Sequence, residues 1–185
     1  MKILEGKKTL LFPFAPADFD YFFELYEQEK YKFGELKKIG DKEQIKMFLI
    51  QSFASLSLLA WVGYTKEGKA SRRAGIIYLF DITDRSCSIH GVVDKQFLKG
   101  LAKRLKQKDK LTYTEDALRT VLNFCFTEFN RERVDTTIPK NNRLAIALVK
   151  KVGFKQEGIL REYAKIDDNP IDVVILSILK KEWKG

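Results

Sequence analysis

The stretch PKNNRLAIALVKKVGFKQEGILREYAKIDDNPIDVVILSILKKEW, from Pro139 to Trp183, decides the fold. Asn141 or Asn142 caps a helix that runs through Lys151, and Gly153 stops it. Two strands follow, near Phe154 to Ile166 and Ile171 to Leu179, with Asp167, Asp168, Asn169 and Pro170 as the turn between them. Upstream, Arg133 to Ile138 is a short β-type run closed by Pro139. Before it, Thr114 with Glu115 and Asp116 caps a helix whose apolar face is Ala117, Leu118, Val121, Leu122, Cys125, Phe126 and Phe129. With a strand at Cys87 to Val93 ahead of that helix, the order is strand, helix, strand, helix. That order demands a parallel crossover pair.

The rest of the chain reads as antiparallel. Leu58 to Tyr64, Arg73 to Asp81 and Cys87 to Val93 are strands at hairpin intervals, separated by a polar run with Gly68 and by Thr83, Asp84 and Arg85. Thr9 to Phe14 is an N-terminal strand. After Pro16, Asp18 opens a helix carrying Phe19, Phe22, Phe23, Leu25 and Tyr26 at helical spacing. Asp41 caps a second helix, with Ile45, Phe48, Leu49, Phe53 and Leu56 on one apolar face. Both aromatic stripes are expected in the core. The fold class is therefore α/β (α+β): a mixed, mostly antiparallel sheet of about seven strands with about four helices. No repeat or linker divides residues 1–185, so a single domain is expected.

Composition narrows the function. The 185 residues carry 34 Lys+Arg against 25 Asp+Glu, a net charge of +9, with 45% apolar residues, two cysteines and one histidine. A zinc site with two histidines cannot be built from His90 alone, and Cys87 and Cys125 lack the paired spacing of a zinc cluster, so no metal is expected. Two cysteines make no disulfide framework, which points to a reducing cytoplasm. Pro13 breaks the apolar run Leu10 to Ala15, and the uncharged stretch Phe48 to Tyr64 falls short of a membrane span, so neither leader nor span is expected. The charge is uneven: residues 99–110, KGLAKRLKQKDK, hold six basic residues and one acid.

The C-terminal stretch resembles the GNAT N-acetyltransferases, particularly the branch similar to ribosomal-protein N-terminal acetyltransferases. The residues that carry the resemblance are Asn142 after Pro139, Gly153 and Phe154, Glu157 and Gly158, Arg161, Asp172 and the closing Glu182 and Trp183. The resemblance implies the GNAT fold, in which the fourth and fifth strands, here Cys87 to Val93 and Arg133 to Ile138, splay apart. Acetyl-CoA is then expected in the notch, its pantetheine bonded to backbone at Val92 and Val93. Its pyrophosphate would lie at the loop opening the next helix, where unpaired N–H groups and the helix dipole favour an anion. That loop is Lys106, Lys108, Lys110, Leu111, Thr112, Tyr113 and Thr114, with Asn142 a further contact.

Two parts of the family pattern are altered. The loop glycines fall on Lys110 and Thr112, so the lysines would supplement the backbone with charge. The base expected on the fourth strand falls on Ser88 rather than Glu, and the acid expected on the last strand falls on Leu176 rather than Tyr. His90, two residues from Ser88 on the same face of a regular strand, is the candidate base, its reference pKa being suited to neutrality; its alternative is a structural role. Ser177, beside Leu176, is a candidate to orient a thiolate or water.

Three readings follow. The first is an acetyl-CoA-dependent N-acetyltransferase acting on a primary amine of a protein, peptide or small molecule, monomeric or homodimeric. The second is a GNAT-fold binding protein that has lost its chemistry. The third is a nucleic-acid or ribosome binder using residues 99–110, disfavoured because the basic run lacks interleaved aromatics.

Overall fold

The computed structural model describes residues 1–28, 39–66, 71–98, 111–166 and 169–185. In chain order the elements are β1 (Leu4–Glu5), β2 (Thr9–Pro13), α1 (Phe19–Gln28), α2 (Lys42–Ala54), β3 (Leu59–Thr65), β4 (Arg73–Phe80) and β5 (Ser86–Val93). There follow α3 (Lys95–Leu98), α4 (Tyr113–Thr127), β6 (Arg133–Pro139), α5 (Arg143–Val152), β7 (Lys155–Ile166) and β8 (Asn169–Leu179). The eight strands form one sheet in the order β1-β2-β3-β4-β5-β6-β8-β7. The β5–β6 pair is parallel and the other neighbours are antiparallel. The expected mixed sheet is present, with β1 and the one-turn α3 added to the sequence reading.

Several local signals act as read. Asp41 Oδ1 accepts from Gln44 N and Gln44 Oε1 accepts from Asp41 N, a complete capping box. Asn142 rather than Asn141 caps α5, its Oδ1 accepting from Ala145 N at 3.2 Å. Gly153 ends α5 at φ +124°, a conformation open to glycine at little cost. Other expectations are corrected. The cap of α4 is Thr112, two residues ahead of Thr114, and its hydroxyl accepts from Glu115 N at 3.1 Å. Asp18 closes a 3-10 turn (Pro16–Asp18) before α1, accepting from Ala15 N. On α2 only Ile45 and Leu49 are buried, whereas Phe48 and Leu56 are exposed, Leu56 lying beyond the helix. Asn169 and Pro170 belong to β8; Asp167 and Asp168 lie outside the described residues.

Alternation along the strands divides the core in two. Leu11, Trp61, Leu79, Cys87, Ile89, Val134, Leu176 and Ile178 pack under α4 and α5, with Leu122 and Phe126 fully buried among them. Ala60, Val62, Ile76 and Val92 face the other way, against Phe19, Phe22, Leu25 and Tyr26 of α1 and Ile45 and Leu49 of α2. Cys87 and Cys125 are free thiols, Sγ to Sγ 4.0 Å, inside the first core. No described helix is long and apolar enough to cross a membrane.

Candidate active site

The parallel pair defines the site. Pairing between β5 and β6 covers only Ser86↔Arg133, Cys87↔Val134 and Ser88↔Asp135, although β5 runs on to Val93 and β6 to Pro139. Past Ser88 the strands part. Beyond that rung β5 keeps its pairing with β4, through Ile76↔Val92 and Gly75↔Val93, and among the described residues has no strand partner on its other side. A notch thus opens between two strands, with backbone groups on its walls that need bonds from elsewhere.

His90 sits at the closed end of this notch. Its Nε2 lies 3.3 Å from Thr137 Oγ1 and accepts from Thr137 N at 3.5 Å, so the side chain satisfies a β6 amide that the splay leaves without a strand partner. Accepting at Nε2 puts the proton of the neutral ring on Nδ1. Phe80 and Tyr78 flank the ring edge-on, with centroids 4.9 and 6.0 Å away. Burial lowers the pKa of His90 to about 4, against a smaller upward pull from Asp135. The reference value that suits a base near neutrality is therefore not the value in the fold.

Because Val134 and Ile138 enter the core under α4 and α5, Arg133, Asp135 and Thr137 project from the opposite face of β6. There a polar network crosses four strands. Ser88 Oγ donates to Asp135 Oδ1 at 2.7 Å, and Asp135 Oδ2 lies 3.4 Å from Arg133 Nε. Arg133 grips Glu157 with both terminal nitrogens, at 2.6 and 2.7 Å, and Ser177 Oγ donates to Glu157 Oε1 at 2.5 Å. The guanidinium, then the Ser177 hydroxyl, hold the Glu157 carboxyl down at about 2. Ser177 is buried opposite Asp135 on β8, so β6 stands between it and the notch. It reaches Asp135 only through Glu157 and Arg133.

The expected cofactor residues fall into three places. Val92 is buried under α1 and α2, with Val93 half-buried beside it, both on the stretch of β5 that pairs with β4 and not with β6. Leu111, Thr112, Tyr113 and Thr114 form the start of α4, where Thr112 is buried as the cap. Tyr113 packs on Phe97 of α3 at 5.9 Å. Asn142 opens α5 at the far end of β6, its Oδ1 engaged by the helix. Lys106, Lys108 and Lys110, with the rest of the basic run 99–110, lie outside the described residues. The two acids in the first turn of α4 are already occupied. Asp116 accepts from Lys7 N, Lys8 N, Thr9 N and Thr9 Oγ1, and Glu115 pairs with Lys151 at 2.8 Å and Arg119 at 3.2 Å. An anion at this helix start would not meet a bare carboxylate.

Sequence reasoning missed Arg133 and Asp135. The signal was available in the run Arg133, Val134, Asp135, Thr136, Thr137, Ile138, where two charges alternate with apolar residues inside a central strand.

Residues 8–155 match the family described as Acetyltransferase (GNAT) domain. Among curated relatives, the uncharacterized N-acetyltransferase p20 of Bacillus licheniformis is 32% identical over 73 residues, 40% of this chain and 41% of that protein. A Bacillus subtilis (strain 168) protein provisionally named ribosomal N-acetyltransferase YdaF is 29% identical over 85 residues, 46% of this chain and 45% of that protein. The alignments thus span under half the length of these relatives. The fold matches that of spermidine N-acetyltransferase from Vibrio cholerae, whose structure contains CoA and spermine. The TM-score is 0.76 at 17% identity, covering 94% of this chain and 96% of that one.

Proposed function

The chain belongs to the GNAT acetyltransferase family, and from that premise we propose that it transfers an acetyl group from acetyl-CoA to a primary amine of a protein, peptide or small molecule. The observation that carries this reading is the early end of β5–β6 pairing at Ser88↔Asp135, which leaves the β5 backbone from Ile89 to Val93 open on one side. The residues present fit the coenzyme. A strand edge open on one side suits the amides of a pantetheine arm, and a 15-residue helix beginning at Tyr113, its first-turn acids already engaged by Arg119, Lys151 and the backbone of residues 7–9, suits a pyrophosphate. When bound, acetyl-CoA supplies an acyl carbon activated by its thioester.

The chain's own residues would do the rest. Val92 and Val93 would bond the arm through their backbone, and Thr112, Tyr113 and Thr114 would present the helix start to the phosphates. Lys106, Lys108 and Lys110 would add charge there, and Asn142 would hold the far wall. In place of the base expected of His90 and the orienting of thiolate or water expected of Ser177, His90 would close the notch through Thr137 and Ser177 would anchor the network behind it through Glu157. The acceptor would approach from the face carrying α1 and α2. A net charge of +9 favours an amine set in an acidic surface, or a chain terminus, over a polycation. The two unbonded thiols suit a reducing, cytoplasmic setting.

Titration calorimetry with acetyl-CoA tests the reading, followed by thiol release with a free-N-terminus peptide as acceptor. Heat with a dissociation constant below about a millimolar is expected. No heat and no thiol release would sink it.

A further inference from the structure

We propose that Asp135 is the group that takes the proton from the attacking amine, the carboxylate expected on β5 having moved one strand over to β6. The inference rests on the acetyltransferase reading above. Position 88, where the resemblance places a Glu, holds a serine, and its hydroxyl donates to Asp135 Oδ1 at 2.7 Å. The carboxylate therefore stands within hydrogen-bond reach of the expected base. It does so on the last rung before the strands part, on the face of β5 that also carries His90.

Other groups nearby are less suited. The Nε2 lone pair of His90 is engaged by Thr137, and burial lowers the ring's pKa to about 4. Glu157 stands on β7, two strands beyond β6, with both oxygens gripped by Arg133 and one also by Ser177, and burial raises Tyr78 to about 12. Asp135 keeps a quarter of its side chain exposed, so it can pass a proton to water, whereas Ser177 is buried. Arg133 holds Oδ2 from one side and fixes the direction of Oδ1. Among the described residues Arg133 on its own strand pairs with Asp135, Asp135 acts on His90 of β5, and Glu157 of β7 is tied to it through Arg133.

The atoms balance. The nitrogen-to-acyl-carbon bond forms and the carbon–sulfur bond breaks. The proton on nitrogen passes to the Asp135 carboxylate and then to solvent, and solvent returns one to sulfur. The products are the amide and the free thiol, with no oxidant or metal required.

The test compares the full chain with Asp135→Asn and Ser88→Ala, reading acetyl-CoA affinity by calorimetry and thiol release to a free-N-terminus peptide against pH. Asp135→Asn is expected to bind acetyl-CoA within about twofold of the parent while kcat/KM falls about 10²-fold or more. The acidic limb of the pH profile should disappear with it. Ser88→Ala keeps the carboxylate, so a smaller loss of about tenfold is expected with the acidic limb retained but displaced. The inference is overturned if Asp135→Asn keeps the parent's rate and acidic limb. Should Asp135→Asn fail to fold, Ser88→Ala with unchanged rate and limb overturns it equally. A parent chain that neither binds acetyl-CoA nor releases thiol brings down the acetyltransferase reading itself. Binding without any effect of these variants brings down only this inference.

Discussion

The Ser88 hydroxyl donates to the Asp135 carboxylate at 2.7 Å across the last rung of the parallel pair, so the point where β5 and β6 separate is tied by two side chains. From this tie the network continues through Arg133 and Glu157 to Ser177. Side chains thereby link β5, β6, β7 and β8 on one face. On the notch side of the rung, His90 reaches Thr137 and closes the gap that backbone pairing leaves.

The wall of the notch depends on one glycine. Gly75 lies at φ +150°, and a Cβ there would stand 2.2 Å from the carbonyl oxygen of Val92. At its rung partner Gly63 an added Cβ would meet Leu11 Cδ2 at 3.3 Å, a close contact with the end of a side chain that can shift rather than with backbone. Gly75→Ala should therefore cost about 3 kcal/mol or more and displace β5 at Val92 and Val93, while Gly63→Ala costs about 1 kcal/mol. Urea unfolding measures the first difference. Acetyl-CoA titration of whatever Gly75→Ala remains folded should show at least about a tenfold loss of affinity, and equal behaviour of the two variants would contradict the crowding at Val92.

What the sequence made legible was local or topological. Asp41, Asn142 and Gly153 act on groups within four residues of themselves, so spacing alone identifies them. The parallel pair follows from element order, because a helix between two strands of one sheet enforces it. The cap of α4 was placed two residues late because Thr112 and Thr114 are the same capping type, and although Glu115 and Asp116 do stand in the first turn, the sequence showed only their place near the dipole. Their partners are Arg119 on the same helix, Lys151 of α5 and the backbone of residues 7–9, more than a hundred positions away in the last case. Asp135 was missed for the same reason. Its meaning comes from Ser88, 47 residues earlier on the neighbouring strand. Likewise His90 carried an ordinary reference pKa in the sequence, whereas packing against Phe80 and Tyr78 sets its value in the fold.

Acid should destabilise the protein in two stages. The folded pKa of His90 is depressed to about 4 from 6.5, so the unfolded chain binds its proton first. Stability from this group is complete above about pH 6.5 and declines as pH falls toward 4, by on the order of 3 kcal/mol. Glu157, lowered to about 2 from 4.5, adds a second loss as pH falls below 4.5. The urea midpoint of the parent should therefore fall between pH 7 and 4. In His90→Gln that upper stage should flatten, and an unchanged slope there would show that another group is responsible.

Arg133 is the hub of the network, and its removal takes from Asp135 and Glu157 the cation they share. Arg133 and Glu157 are a third or more exposed and Asp135 a quarter, so Arg133→Met should cost only about 1 kcal/mol. The larger effect is on titration. Without the guanidinium, the Glu157 carboxyl should rise from about 2 toward its ordinary 4.5, with Ser177 providing the remaining restraint. Carbon-detected NMR titration of the Glu157 carboxyl reads this directly. A carboxyl still near 2 in the variant would mean that Ser177, not Arg133, dominates.

Asp116 separates two views of an acid in the first turn of a helix. Were it there for the dipole of α4, Asp116→Asn would cost about 0.5 kcal/mol and salt would reduce the effect further. The carboxylate is instead buried, and it accepts four bonds at 2.7 to 3.0 Å from Lys7 N, Lys8 N, Thr9 N and Thr9 Oγ1. An amide can place only one oxygen among those donors and brings two N–H groups of its own into a buried site. Asp116→Asn should therefore lose about 2–3 kcal/mol, equally at low and high salt. Because those bonds anchor the β1–β2 turn to the first turn of α4, the variant should also loosen the helix start proposed for the pyrophosphate. Faster amide exchange at Glu115 and Asp116, together with weaker acetyl-CoA binding, would register that connection. A small, salt-sensitive loss with exchange unchanged would return Asp116 to the dipole.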